Sequence, residues 1–266
     1  MEAAQKFAVL KAAGRYWAVG AVHGEAGRLQ NLHHKLAGKL RDGDKLVYLG
    51  NFIGRGEAVI ETIDELLRFR RDFLARPRSH IKDFVMLRGG QEEIWQKLQQ
   101  IHLAMDPSAV LEWMLREGVA PTIAAYGGRA EEGASAIREG TMALNRWTSG
   151  LRQAVHDHDG HTPLMSSLRR AAYSDDGGLL FVHAGLDPTR PIDGQADSFW
   201  WRSSGFDAID APYGTFRRIV RGYDRRHAGV KINPFTATVD GGCGFGGSLV
   251  AACFDTVGNM VDLIEA

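Results

Sequence analysis

Cysteine is scarce in this chain, with Cys243 and Cys253 the only two among 266 residues. Two thiols cannot form a disulfide framework, and neither has the paired spacing of a zinc knuckle. Cys243 lies in a glycine-rich turn with no histidine or acid at motif spacing, so we interpret it as a small buried thiol rather than a nucleophile. So little cysteine fits a reducing compartment, and we expect a cytoplasmic protein.

Long apolar runs and an excess of either charge are also missing. No stretch approaches the ~18 apolar residues of a membrane span, and residues 1–7 lack the charged start and apolar stretch of a signal peptide. We therefore expect an intracellular protein with no membrane partner. The 32 basic and 32 acidic residues balance, so no long-range field favours a nucleic-acid partner. A local anion pocket is compatible with this balance.

The first hundred residues repeat a pattern of apolar strand, glycine loop and helix. With 44% hydrophobic residues, the chain is long enough for one large α/β domain spanning residues 1–266. Such repeats imply a parallel sheet with functional groups at the carboxyl ends of its strands. Strands are predicted at 16–19, 45–49 and 84–87, and helices at 28–40, 58–73 and 92–103.

Residues from about 104 to 178 break this rhythm, and we interpret them as an inserted helical cap. Helical patches are predicted at 109–117 and 164–173. Between them, the glycine- and charge-rich segment 127–133 offers few apolar groups to offset its ordering entropy, so we expect a mobile loop there.

Strand patterns without intervening helices return after residue 178, which indicates a second, mixed sheet. The predicted strands are 179–182, 218–220, 236–239 and 248–254, followed by a hairpin whose turn is at 256–259.

Six short motifs occur in order along the chain, most of them where a predicted strand ends. They are Gly20-Ala21-Val22-His23-Gly24, Gly50-Asn51-Phe52-Ile53-Gly54-Arg55-Gly56, Arg88-Gly89-Gly90-Gln91-Glu92, His183-Ala184-Gly185, Gly222-Tyr223-Asp224, and Asp240-Gly241-Gly242 with Gly246-Gly247. They resemble the GDxHG, GDxxDRG, RGNHE, HAG, GHTP and DTG…GG motifs of the calcineurin-like metallophosphoesterases, in particular the serine/threonine phosphoprotein phosphatases and bacterial diadenosine-tetraphosphate hydrolases. The resemblance spans nearly the whole chain, and it implies a four-layer α/β/β/α sandwich with a helical cap insertion.

The resemblance also implies a dinuclear metal site, which this sequence has largely lost. The family uses two divalent metals, joined by a bridging carboxylate, to generate a hydroxide that attacks phosphorus. Here Ala21 stands at the first aspartate position and has no donor atom, and Asn51 stands at the bridging aspartate, where a neutral amide bridges poorly. Gly90 and Tyr223 replace an asparagine and a histidine ligand.

Two family ligands are retained, His23 and His183, one for each metal position. With Asn51 they make a degraded metal site, so we expect no cofactor; a residual site would take manganese or an iron–zinc pair. Glu25, Asp224 and His227 lie near the motifs and could replace lost ligands. In the alternative interpretation, the two histidines are buried and hydrogen-bonded to backbone.

No catalytic residue is expected at the family's proton-donating pair. Gln91 replaces the general-acid histidine and Gly54 replaces the aspartate that orients it, and neither side chain can protonate a leaving group. The arginines are kept. The resemblance implies a phosphate contact by Arg55, with Arg88 and Arg202 as further candidates, although a salt bridge could equally occupy Arg55.

One motif is misleading. Gly160-His161-Thr162-Pro163 matches the family's GHTP letter for letter, but it precedes His183 instead of following it. Because the order excludes it, we interpret His161 as a capping or surface residue.

The motifs taken together predict a catalytically inactive pseudophosphatase that binds a phosphorylated small molecule or phosphoprotein. Two alternatives stay open. One is an active protein phosphatase or dinucleoside-polyphosphate hydrolase with an atypical metal site, and the other is an interaction module that binds a protein partner through its cap.

Overall fold

The computed structural model describes residues 6–11, 14–202 and 204–266. The strands among them form two β-sheets. The first five residues, to which most of the signal-peptide argument applies, lie outside this description. In chain order the strands are β1 (Phe7–Leu10), β2 (Tyr16–Val19), β3 (Lys45–Tyr48), β4 (Phe84–Met86), β5 (Ala171–Ser174), β6 (Leu179–Val182), β7 (Arg218–Arg221), β8 (Lys231–Ile232), β9 (Thr236–Thr238), β10 (Val250–Phe254) and β11 (Met260–Glu265).

The first sheet has the strand order β11-β10-β2-β3-β4, and the second has the order β1-β5-β6-β7-β9-β8. Strands β2, β3 and β4 run parallel, with Leu46 opposite Trp17 on one side and Phe84 on the other. Strands β6, β7 and β9 are also parallel, whereas β5 and β8 pair antiparallel to their neighbours β6 and β9. The second sheet is therefore mixed, as predicted.

Helices follow the strands of the first sheet and then fill the insertion. Helix α2 shows why they form: its buried Ile63, Leu66, Phe69 and Phe73 recur at helical spacing and face the sheet. The helices are α1 (Ala26–Ala37), α2 (Val59–Leu74), α3 (Gly90–Leu98), α4 (Pro107–Arg116), α5 (Ala120–Ala125), α6 (Ala130–Glu139), α7 (Thr141–Asp157), α8 (His161–Ser167) and α9 (Ser198–Trp201), with 3-10 turns at Ile81–Asp83, Ile101–Leu103, Ile192–Gly194 and Phe206–Ala208.

The core is divided into layers. Side chains such as Val47, Phe181 and Val220 fill the space between the two sheets. The outer face of the first sheet packs on helices α1 and α2, and helices α3 to α8 belong to the same apolar cluster. The outer face of the second sheet packs on α9 and the loops around it, through residues such as Phe199 and Phe206. The predicted four-layer α/β/β/α sandwich is confirmed.

The insertion differs from its prediction in two places. The helix predicted over 164–173 ends at Ser167, because Ala171–Ser174 is a strand that pairs with β1 and β6. The expectation of a mobile loop at 127–133 is also wrong. Helix α6 begins inside it at Ala130, and Gly133 allows the close approach of Trp147, since a Cβ there would lie 2.7 Å from the indole ring.

No helix in the described part of the chain is both long and apolar enough to cross a membrane.

Candidate functional site

The predicted functional loops meet at one edge of the sandwich, where parallel strands of both sheets end. The loop after β2 contacts the loop after β7 through a hydrogen bond from Ala21 N to Gly222 O (3.0 Å), which crosses from the first sheet to the second. The loops after β2 and β3 are joined by His23 N, which donates to Asn51 O (2.7 Å). Carboxyl ends of parallel strands are the usual place for a site in open α/β sheets.

Four non-glycine residues adopt left-handed backbone at this edge: His23 (φ 57°), Asn51 (φ 56°), Arg55 (φ 50°) and His227 (φ 48°). Such conformations cost on the order of 1–3 kcal/mol each and persist where the surrounding structure enforces them. Here Gly56 N donates to His23 O (2.7 Å), and Arg55 N donates to Gly118 O (3.0 Å). Three of the strained positions belong to the motifs, and His227 lies three residues beyond the fifth motif.

Asn51 fixes the tautomer of His23. Gln91 N donates to Asn51 Oδ1 (2.9 Å), so the Nδ2 of the amide faces His23 Nε2 (3.3 Å). Because an amide NH₂ donates, His23 Nε2 accepts and the ring proton lies on Nδ1, which is buried without a partner among the described residues. Burial, followed by repulsion from three nearby basic side chains, lowers the pKa of His23 well below its ordinary value, so the ring is neutral.

His183 has the opposite tautomer. Its Nδ1 donates to Leu49 O (2.7 Å), which leaves the lone pair on Nε2, a buried atom without a partner in the described structure. Burial lowers the pKa of His183 to about 4, so this ring is also neutral near pH 7. The backbone hydrogen bond agrees with the interpretation of a buried structural histidine.

Two aromatic side chains close the space in front of these histidines. Tyr223 stacks on His183, with ring centroids 5.4 Å apart and planes 11° apart. Phe245 meets His23 edge to face at 5.3 Å. The histidine side chains are each 1% exposed, whereas Phe245 is 39% exposed. Solvent therefore reaches the Phe245 side chain but not the side chains of His23 and His183.

The three predicted metal ligands come together, but their donor atoms do not fit a dinuclear centre. His23 Nε2 and Asn51 Oδ1 both accept hydrogen bonds, so of this set the lone pair of His183 Nε2 is the one left open. In the described part of the chain, no group of three His, Cys, Asp or Glu residues is arranged to hold a metal ion. A bridged pair of divalent ions needs several anionic oxygens, which this arrangement does not supply.

Two of the three suggested replacement ligands have other partners. Glu25 stands at the N-cap position of helix α1 but its side chain makes no capping hydrogen bond, whereas Asp224 forms a buried ion pair with Arg221 (3.4 Å). His227 Nδ1 donates to Asp240 Oδ2 (3.0 Å). This histidine and its buried aspartate form a dyad that sequence reasoning missed. The signal was Asp240 in the DGG turn, since such an aspartate accepts hydrogen bonds from nearby groups, here including Gly242 N (2.8 Å).

The two substitutions at the family's acid pair are physically linked. Gln91 Nε2 donates to Glu117 O (2.7 Å), and its side chain occupies the space beside Gly54. A Cβ at position 54 would lie 2.3 Å from Gln91 Oε1, closer than atoms approach, and the backbone there has φ +87°. A side chain at 54 would therefore have to displace the Gln91 amide and adopt left-handed backbone.

Glu92 anchors the loop that carries Asn51, a role that the sequence reasoning did not identify. Its carboxylate accepts hydrogen bonds from Asn51 N (2.9 Å), Phe52 N (2.7 Å), Ile53 N (3.2 Å) and Gly89 N (2.7 Å). Burial raises the pKa of Glu92, and these backbone donors oppose that rise. A glutamate three residues after a helix start was the available signal, because it marks a capping box.

Arg55 packs against the ring of Phe245, which in turn contacts His23. Its guanidinium carbon lies 4.2 Å from the centroid of the Phe245 ring, and its Nε is buried without a hydrogen-bond partner. Within the described residues no carboxylate lies at ion-pair distance, so the salt-bridge alternative for Arg55 is not supported. An unpaired guanidinium beside neutral imidazoles favours an anion.

Arg88 and Arg202 have acidic neighbours instead. Arg88 Nη1 lies 3.4 Å from Glu93 Oε2 and also donates to Gln96, whereas Arg202 Nη1 donates to Asp187 Oδ2 (2.9 Å). No contact between either arginine and the Arg55 cluster is found in the described chain. Their phosphate contacts stay predictions.

His161, interpreted from the sequence as a capping or surface residue, is fully buried, so the surface assignment is wrong. Tyr126 OH donates to its Nδ1 (2.8 Å), and its Nε2 donates to Asp64 Oδ1 (3.1 Å). The histidine connects the cap to helix α2 and takes no part in the site.

A large open groove lies away from these loops, along the edge strands β1 and β4. Its volume is about 1250 Å³, and its lining includes the cations Lys11, Arg70 and Lys82. None of the motif residues that carry the site lines it, so its size says nothing about the site.

Comparison with solved structures gives matches over nearly the whole chain. A diadenosine tetraphosphatase structure is 18% identical, with a TM-score of 0.54, and the match covers 97% of this chain and 98% of that one. A protein serine/threonine phosphatase from Saccharomyces cerevisiae, similar to human phosphatase PP5, is 15% identical with a TM-score of 0.56 over 98% and 84% of the two chains. A cold-active protein-tyrosine phosphatase from a psychrophilic Shewanella is 12% identical with a TM-score of 0.50, covering 97% and 83%.

No protein-family model matches the chain, and no curated protein sequence matches it. At identities this low, the structural matches establish the fold alone. The chemistry has to be argued from the residues of this chain. The chain has the fold of the calcineurin-like metallophosphoesterases, the superfamily that its motifs resemble.

Proposed function

We propose that this protein is a pseudophosphatase, which binds the phosphate group of a small molecule or phosphoprotein without metal and without hydrolysing it. The observation that carries the proposal is Arg55, a guanidinium with no carboxylate partner in the described structure, placed among histidines that are neutral. Guanidinium groups bind phosphate oxygens through paired, charge-assisted hydrogen bonds. The similar solved structures are described as phosphatases and a tetraphosphatase, and each of these names refers to a phosphate compound.

The same residues argue against turnover. Hydrolysis in this fold family depends on a metal-activated hydroxide, and His23, Asn51 and His183 do not supply the anionic donors for two metals. At the acid position, Gln91 carries an amide that cannot protonate a leaving group. The aspartate positions hold neutral side chains, which removes the repulsion that unmetallated carboxylates would exert on a phosphate.

Arg55→Ala tests the anion site. In a buffer with chelator, isothermal titration calorimetry with phenyl phosphate and diadenosine tetraphosphate should show binding by the natural chain and at least tenfold weaker binding by the variant. Arg70→Ala is the matched control, because Arg70 is also partly buried without an ion pair among the described residues. It lies eleven residues beyond the start of helix α2, about 16 Å along its axis. The affinity of the Arg70→Ala variant should equal that of the natural chain.

Metal analysis tests the absence of catalysis. After purification with manganese present, we expect substoichiometric metal and no hydrolysis of p-nitrophenyl phosphate or diadenosine tetraphosphate. Stoichiometric metal with turnover that disappears in His183→Ala would establish the active enzyme instead. Absence of any affinity for phosphate compounds would favour the interaction module.

A further inference from the structure

The large groove away from the motif loops runs along the free edge of a β-sheet. Its lining contains residues 7–9 of β1 and residues 84–86 of β4, the end strands of the two sheets. Phe7 packs with the apolar cluster on the outer face of the second sheet, whereas Ala8 packs with the cluster between the sheets. Because residues from both faces of β1 line the groove, it passes along the edge of this strand.

The backbone of β1 has unpaired groups on this side. Leu10 O accepts a hydrogen bond from Asp175 N (3.1 Å), so Leu10 and Ala8 direct their backbone groups toward β5. Neighbouring residues of a strand direct theirs to opposite sides, so Phe7 and Val9 direct theirs to the groove. In the described chain, no partner is found for the N–H and C=O groups of these two residues.

Strand β4 leaves less of its edge open than β1 does. Arg169 N donates to Met86 O (2.9 Å), and Arg88 N donates to Arg169 O (2.7 Å), so this part of the chain pairs beside the end of β4. Natural sheets usually protect an edge strand with charged residues or proline. Strand β1, with the sequence Phe-Ala-Val-Leu, contains neither, so it can pair with another strand.

The groove combines this edge with positive charge and apolar surface. Among the described lining residues, five side chains are basic and one, Asp193, is acidic. Lys11 and Lys82 are exposed and have no ion pair in the described structure. Ile81, also in the lining, is 65% exposed. These features complement a ligand that carries carboxylates together with apolar side chains.

An extended acidic peptide matches these features better than other occupants do. A peptide that adds to a sheet edge pairs its own backbone with the edge strand and places alternate side chains against the lining. A second copy of this chain, joined through the same surface by a twofold axis, would bring two sets of basic residues together. Polyphosphate has acceptors only and would leave the carbonyl groups of Phe7 and Val9 unpaired.

We infer that this groove is the docking site for an extended, acidic segment of a partner protein, which adds a strand to the second sheet beside β1. The backbone groups of Phe7 and Val9 supply the pairing, and Lys11 and Lys82 bind carboxylates of the segment. This function is separate from phosphate binding and does not depend on Arg55.

Amide hydrogen exchange tests the free edge without any partner. In the full chain, the amides of Phe7 and Val9 should exchange at least tenfold faster than those of Ala8 and Leu10, whose N–H groups point toward β5. Equal protection of the four amides would show that the edge is covered, and the inference would then be wrong.

Peptide selection tests the occupant. A phage-displayed library of random linear peptides, selected on the full chain, should yield sequences rich in aspartate and glutamate. By fluorescence anisotropy, a synthetic copy of the most enriched peptide should bind the double variant Lys11→Glu/Lys82→Glu at least tenfold more weakly than the natural chain. Arg138→Glu/Arg146→Glu is the matched control, because both arginines are exposed on helices of the cap, outside the groove, without an ion pair among the described residues.

A third variant separates the backbone from the charges. Val9→Pro removes an N–H group that faces the groove, and an edge strand tolerates proline on its unpaired side. Affinity for the peptide should fall at least tenfold while the circular dichroism spectrum is kept. Unchanged affinity in this variant would contradict strand addition. A selection without acidic sequences, equal binding by the Lys11→Glu/Lys82→Glu variant, or binding of polyphosphate alone would rule out the docking site.

Discussion

Single residues decide how firmly the site's loops are held, and Glu92 is the clearest case. It collects four backbone N–H groups from two loops in a buried environment, so its removal would leave those donors without acceptors. Glu92 matches the glutamate of the family's third motif, but that match alone does not indicate what the residue does. A match at such a position shows that the loop is held in the same way, and it carries no information about the chemistry of neighbouring positions.

Glu92→Ala should lower the free energy of unfolding by on the order of 3 kcal/mol or more, because several buried N–H groups lose their acceptor. The measurement is urea unfolding followed by circular dichroism. Glu132→Ala provides the comparison, since Glu132 accepts from Arg129 N at the equivalent position of helix α6 but on an exposed surface. Its effect should stay within about 1 kcal/mol. Equal effects for the two variants would contradict the anchoring role of Glu92.

Among the elements, the helical insertion is more firmly built than its composition indicates. Composition alone predicted a mobile loop at 127–133, but α6 and α7 pack closely because Gly133 has no side chain to separate them. Tyr126, His161 and Asp64 add a hydrogen-bonded chain from the cap to helix α2. Pairwise packing of this kind depends on tertiary neighbours, which a sequence window does not contain.

Tyr126→Phe should destabilise the protein by about 1–2 kcal/mol, because it removes a buried hydrogen bond and leaves His161 Nδ1 without a donor. Hydrogen exchange of the amides in α8 should speed up more than exchange in β3. Tyr173→Phe serves as the control, since no hydrogen bond of the Tyr173 hydroxyl is found among the described residues. If α8 exchanges at its natural rate in Tyr126→Phe, the cap is held by packing alone.

At the scale of the whole molecule, the sequence predicted the layers but not how the strands divide between the two sheets. Parallel strands at 16–19, 45–49 and 84–87 explain why His23 and Asn51 meet. The late strands split, with β10 pairing beside β2 in the first sheet, and the short strand β1 was not predicted. Phe245 and His227 come from loops, where no pattern predicts contacts.

Buried neutral histidines should make the whole fold acid-sensitive. Burial lowers the pKa of His183 from an ordinary 6.5 to about 4, so the unfolded chain takes up a proton in this interval while the folded chain does not. Its stabilising contribution is therefore full above pH 6.5 and is lost as pH falls toward 4, up to about 3 kcal/mol. Unfolding free energies measured between pH 7 and 4.5 should fall more steeply for the natural chain than for His183→Asn. The exposed His34, changed to Asn, should leave the slope unaltered.

The contact between Gly54 and Gln91 makes these two positions depend on each other. An aspartate at 54 would displace the Gln91 side chain, whose Oε1 lies 2.3 Å from the required Cβ, and would also adopt left-handed backbone. A histidine at 91 would stand beside a glycine, without the aspartate that orients it in the family motif. Positions 54 and 91 therefore form an epistatic pair, and only a double substitution would rebuild the acid pair of the family.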